Sequence, residues 1–171
     1  MNEPVKHIVL EEVETLKKRI SDNIISTKQN ASGKTLSSLE IVESGDGVKL
    51  LGRFPFETLE TGRKPGKVPQ GFQGIILQWM KDKGITASPI PYVRKPSKKW
   101  QPEYNPQQRG DSSLAGAIAY KIKTEGTKLH WYGGRQDIYS NEIPATLKNI
   151  RQKLTGLFST EIQTIHINAA K

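Results

Sequence analysis

Apolar residues recur at three- and four-residue steps near the start of the chain. Val5, Val9, Val13, Leu16, Ile20 and Ile24 form one stripe, and Glu11, Glu12, Glu14, Lys17, Lys18 and Arg19 fill the other face. That spacing predicts an amphipathic helix over 5–25. Pro4 suits its first turn, and the acids precede the bases as the helix dipole favours. Glu11 and Glu12 read as part of a solvated face. Asn30 to Lys34 reads as a turn. Residues 35–43 and 48–54 then read as two antiparallel strands joined through Ser44-Gly-Asp-Gly47, a strong hairpin signal. Leu39, Ile41, Leu50 and Phe54 are the expected inward-facing members.

The periodicity returns to helical after a Gly/Pro/Lys-rich loop at 57–73. Residues 72–83 place Ile76, Trp79 and Met80 on one face, and Gly84 closes the helix. The expectation is that Trp79 is buried between this helix and the sheet. Residues 86–110 hold five prolines (Pro89, Pro91, Pro96, Pro102 and Pro106), too many for a helix or a central strand. They read as an extended arm. A second short helix is expected at 112–124, capped by Asp111 or Ser112 and ended by Gly126. Leu129 to Tyr132 reads as extended. Residues 143–158 predict a long helix with Pro144 in its first turn and Leu147, Ile150, Leu154 and Leu157 on one face. The alternation over 161–167 suggests a closing strand. This order predicts an α+β fold, in which a small antiparallel sheet packs with N-terminal, middle and C-terminal helices. The 171 residues read as one domain, 1–171, with an inserted Pro-rich basic arm at 86–110.

Charge sharpens the picture of that arm. The net charge is +9, and residues 62–110 hold ten Lys/Arg against Asp82 and Glu103. Eight of the nine net positive charges therefore fall there. A basic middle on a near-neutral body suits an acidic partner, either nucleic acid or an acidic protein surface; the other reading is a charged, solvated loop. Arg63, Lys64 and Lys67 lie in the first loop, and Tyr92, Arg94, Lys95, Lys98, Lys99, Trp100 and Tyr104 in the arm. The arm's aromatics and bases are suited to stacking on single-stranded nucleic acid. They are equally suited to anchoring the arm on a neighbouring subunit, which is preferred because Pro-rich segments lose less entropy on docking.

Catalytic chemistry is not legible. Ser32-Gly-Lys-Thr35 resembles the end of a phosphate-binding loop, but position 28 is Lys where that loop needs Gly. His7, His130 and His166 have no metal-ligand spacing, and His130 beside Trp131 and Tyr132 reads as a core or interface residue. One acid in Ser44-Gly-Asp-Gly47 is too few for calcium. The chain has no cysteine, so it has neither disulfides nor a thiolate nucleophile. The expectation is no catalytic residue, no metal and no cofactor. The N-terminus lacks a secretory signal layout and no apolar run is long enough to span a membrane.

Several of these segments come in a telling order. Leu59-Glu-Thr-Gly62 precedes the Trp79 helix ending in Lys83-Gly-Ile85, and Ala117-Ile-Ala-x-x-Ile precedes Gly126-Thr-Lys128. Together with the N-terminal helix and hairpin, the set resembles the small tail-completion or head–tail joining proteins of tailed double-stranded DNA bacteriophages. The resemblance spans about residues 1–158. It implies a structural, non-enzymatic virion protein, made in the host cytoplasm and placed at the neck or proximal tail. It also implies a homo-oligomeric ring, contacts with other neck, portal or tail proteins, and non-specific contact with passing genomic DNA. The alternative is a nucleic-acid-binding module built on 62–110.

Overall fold

Helix α1 (Glu3–Ser26) forms where the apolar stripe predicts it, with Pro4 in its first turn and Ile20 and Ile24 buried. This computed structural model describes residues 2–54, 56–93 and 101–169, with side chains of the last helix described as far as Ile165. After α1 come α2 (Lys34–Ser37), β1 (Glu40–Ser44), β2 (Gly47–Leu51) and α3 (Thr58–Thr61). Then follow α4 (Phe72–Asp82), α5 (Pro106–Glu125), α6 (Lys128–Trp131) and α7 (Glu142–Ala169). The fold is a mixture of helices with one two-stranded antiparallel sheet. The chain divides into two compact units, Met1–Glu60 with Arg135–Lys171, and Thr61–Gly134.

The first unit holds the sheet. Ser44 pairs with Gly47 and Ile41 with Leu50, so Gly45 and Asp46 make the two-residue turn that the sequence announces. Residues 35–37 are helical rather than extended, because Asn30 Oδ1 caps Gly33 N–H and the Ser37 N–H turns back to the Gly33 carbonyl. Ile20, Ile24, Leu39 and Ile138 form the core, flanked by Leu16, Leu36, Leu50, Phe56 and Tyr139. Phe54 is 87% exposed, against expectation. The strand ends at Leu51, and Phe56 takes the inward place, its ring 5.6 Å from that of Tyr139.

Helix α7 differs most from expectation. It runs unbroken through 161–167, the segment read as a strand. No glycine or proline interrupts it there, and the Thr160 and Thr164 hydroxyls donate back to carbonyls four residues earlier. Of its expected inward face, Ile150, Leu154 and Leu157 are half-buried and Leu147 departs. Leu147 is 61% exposed while Thr146 is buried. Glu12, expected in solvent, is buried as well. It meets Lys153 of α7 at 2.7 Å and accepts from Asn149, and Lys153 also reaches Glu11 at 3.0 Å. The Lys153 ammonium beside it, opposed by burial and helped by Asn149, holds the Glu12 carboxyl below its ordinary value.

In the second unit, α4 packs on α5 through Ile76, Met80 and Ala115, with Phe72, Leu77, Leu114, Ile118 and Ile122 around them. Helix α5 begins at Pro106 rather than at 112, so residues 106–110 are helix and not arm. Asn105 accepts from the Gln108 backbone while the Gln108 side chain accepts from Asn105 N–H, a complete capping box with proline in the first turn. Residues 128–131, read as extended, form the single turn α6. Gly126 ends α5 as expected.

Candidate functional site

The basic loop 62–71 is fastened to the end of α5. Arg63 N–H donates to Thr127 Oγ1 at 2.9 Å, and Thr127 N–H returns a bond to the Arg63 carbonyl at 2.9 Å. Gly66 N–H donates to the Lys123 carbonyl at 2.8 Å. The approach is so close that a Cβ on Gly62, at φ +68°, would lie 2.5 Å from the His130 nitrogen. The Arg63 guanidinium bonds the Lys67 carbonyl and lies 5.4 Å from the Phe72 ring centre. Arg63 is thus partly buried in its own unit, while Lys64 and Lys67 stay exposed.

The Pro-rich segment is held in the same manner where it is described. Ala87 N–H donates to Asp111 Oδ1, Gln107 Nε2 to the Ala87 carbonyl, and Ile90 N–H to the Pro106 carbonyl. Gly110 permits this, since a Cβ there would sit 2.2 Å from the Ser88 oxygen. Arg109 bonds the Pro91 carbonyl and stacks 4.5 Å from the centre of Tyr92. Tyr104 is 45% exposed just ahead of α5. Arg94, Lys95, Lys98, Lys99 and Trp100 lie outside the described residues. Of the sequence candidates, the structure therefore gathers Arg63, Lys64 and Lys67 on one loop and holds Tyr92 against Arg109.

Three features went unread in the sequence. The first is an open apolar groove of about 650 Å³ between α4 and α5, floored by Ile76, Trp79, Ile118, Ile122 and Leu129. Trp79 is 38% exposed here, not buried against a sheet. Lys121 and Lys128 also line the groove, and both are shared with a smaller adjoining hollow edged by Trp131 and Tyr132. Those two aromatics are 67% and 83% exposed. The Trp131 indole N–H donates to the Glu125 carbonyl, which fixes the ring.

The second is the outer face of α7, where Phe158, Ile162 and Ile165 are each about half exposed or more. The third is Glu60, only 2% exposed. One carboxylate oxygen accepts from the backbone N–H groups of Ile138, Tyr139 and Ser140 at 2.7–3.0 Å, and the other accepts from the Ser140 hydroxyl. Burial pushes this carboxyl up, but those four bonds together outweigh it and leave it below its ordinary value. Glu60 is a structural clamp on the chain entering α7.

Among the described residues, no group of three His, Asp or Glu is placed to hold a metal ion, and no helix is long and apolar enough to cross a membrane. No protein-family model, no curated protein and no solved structure matches this chain.

Proposed function

We propose that this chain is a structural virion protein of a tailed double-stranded DNA bacteriophage, a subunit of a neck or tail-proximal ring that works by docking. The ordered motifs from Leu59-Glu-Thr-Gly62 to Gly126-Thr-Lys128 motivate the family. The observation that carries the docking role is the pair of unlike apolar surfaces, the groove of one unit and the outer face of α7 in the other. A closed ring of identical copies needs two different complementary surfaces per subunit. Exposed apolar side chains grouped in a groove and in a row along one helix face are what a docking surface needs. Lys64 and Lys67 stand exposed on a tethered loop, which suits a lumen where phosphate passes without being read.

The test is to label the protein in purified particles and image them. Density at the neck or tail supports the reading, and confinement of the protein to the infected-cell cytoplasm rejects it. Those exposed lysines also favour a second reading, direct nucleic-acid binding. Salt-sensitive DNA binding by the isolated monomer would select it.

A further inference from the structure

We infer that the apolar groove between α4 and α5 receives the outer face of α7 from a second copy of this chain. The inference deepens the ring proposed above and rests on it for its biological setting, while its chemistry stands on the two surfaces themselves.

Phe158, Ile162 and Ile165 follow one another at steps of four and three, so they form one exposed apolar row on the helix. Such rows are what hydrophobic grooves accept from a partner helix. Helix α7 also runs on past the start of α1. Glu12 of α1 lies opposite Lys153, and the helices run antiparallel, since Asn23 of α1 meets Glu142 at the start of α7. From Glu12 to the start of α1 is about 14 Å, whereas from Lys153 to the end of α7 is about 24 Å. The last two turns of α7, from about residue 163, therefore extend beyond α1, and Ile165 of the row lies in them.

Charge selects a second copy over other occupants. Glu161 is the only charged residue from 154 to 165, and it lies three residues after Phe158 and four before Ile165, beside the apolar row. The groove presents Lys121 and Lys128. Lys121 already meets Glu125 at 3.6 Å, but that pair is exposed and weak, so it yields to a better-placed carboxylate. An apolar row flanked by one acid thus meets an apolar floor flanked by two bases. A single contact of this kind is small and weak. Closure of a ring multiplies it, because each copy is then held on both sides.

The absence of native cysteine makes the test clean. Lys121→Cys and Glu161→Cys are made in separate chains, mixed, and joined with a short bis-maleimide; Glu14→Cys, on the exposed side of α1, is the control. The expected result is a cross-linked dimer from the mixture well above either variant alone or either with the control. Both cysteines in one chain should give a ladder of multimers. Cross-linking that needs only one variant, a doubly substituted chain linked only to itself, or no yield above the control would each overturn the inference. Charge reversal gives a second reading. Glu161→Lys should weaken self-association in sedimentation by at least about tenfold, since like charges then face each other. Lys121→Glu with Lys128→Glu in the same chain should restore it, and failure to restore would reject the pairing. Particle location plays no part in these readouts. Cross-linking by a protein absent from virions would sink only the virion reading, and a neck protein that does not cross-link would sink only this one.

Discussion

Glu60 occupies a place where an unpaired carboxylate would cost several kcal/mol to bury. Its four hydrogen bonds offset that cost and fix residues 138–140 just ahead of α7. Glu60→Ala removes the acceptor from three backbone N–H groups, of which that of Ile138 is buried. The expected loss is about 2–4 kcal/mol, since each donor left unmet in a buried site costs on the order of 1–3 kcal/mol and water reaches the outer two. The pH dependence has a definite sign. The folded-state carboxyl lies below its ordinary value, so its contribution is complete above the unfolded value of about 4.3. It is lost as pH falls below that and through the lowered folded-state value. Urea unfolding of wild type and Glu60→Gln checks this. The gap between them should narrow on acidification from about pH 7 to about pH 3, and a constant gap would remove the ionised carboxylate from the account.

The element scale shows where a helix face is decided. Met80 and Trp79 are neighbours on α4, yet Met80 is 1% exposed and Trp79 is 38% exposed. Met80→Ala should cost about 2–5 kcal/mol, the range for emptying a packed core site. Trp79→Ala should cost clearly less in unfolding while lowering self-association, because its ring floors the groove; equal costs in chemical denaturation would place Trp79 in the core. Periodicity located α1, the hairpin, α4 and the start of α7, since their apolar stripes and turn residues leave one reading each. It failed where two patterns fit one segment. Residues 161–167 are rich in Ile and Thr, which alternate like a strand and also continue a helix, so periodicity alone does not choose between them. Asn105-Pro106-x-Gln108 carries its capping signature in the sequence, inside a Pro-rich stretch whose composition argues for an extended chain. The groove was not legible, because it depends on α4 meeting α5 across more than twenty intervening residues. Nor was Glu60, which reads as one more acid before a glycine until residues 138–140 turn their N–H groups onto it.

On the scale of the whole molecule, the unit Thr61–Gly134 is inserted into the other at a single point. Arg135 N–H donates to the Glu60 carbonyl at 2.9 Å, so the chain leaves and re-enters the first unit through adjacent residues. Insertions succeed where the two ends lie this close. The core of Ile20, Ile24, Leu39 and Ile138, the Glu12–Lys153 pair and the Glu60 clamp all belong to the first unit. Replacing 61–134 by a short Gly/Ser linker should therefore leave that unit folded, with the helical circular dichroism of α1 and α7 and a cooperative melt. A chain that is unfolded after this replacement would show that the inserted unit is required for the first. The folded product makes a sharper prediction for assembly. It keeps Phe158, Ile162 and Ile165 on α7 but has no groove, so it can fill a neighbour's groove and offer none of its own. Added to full-length protein it should cap growing chains and lower the multimer ladder in proportion to its dose, and adding Glu161→Lys to it should abolish the effect. A truncated unit that folds yet leaves the ladder unchanged would mean that α7 is not the element that docks.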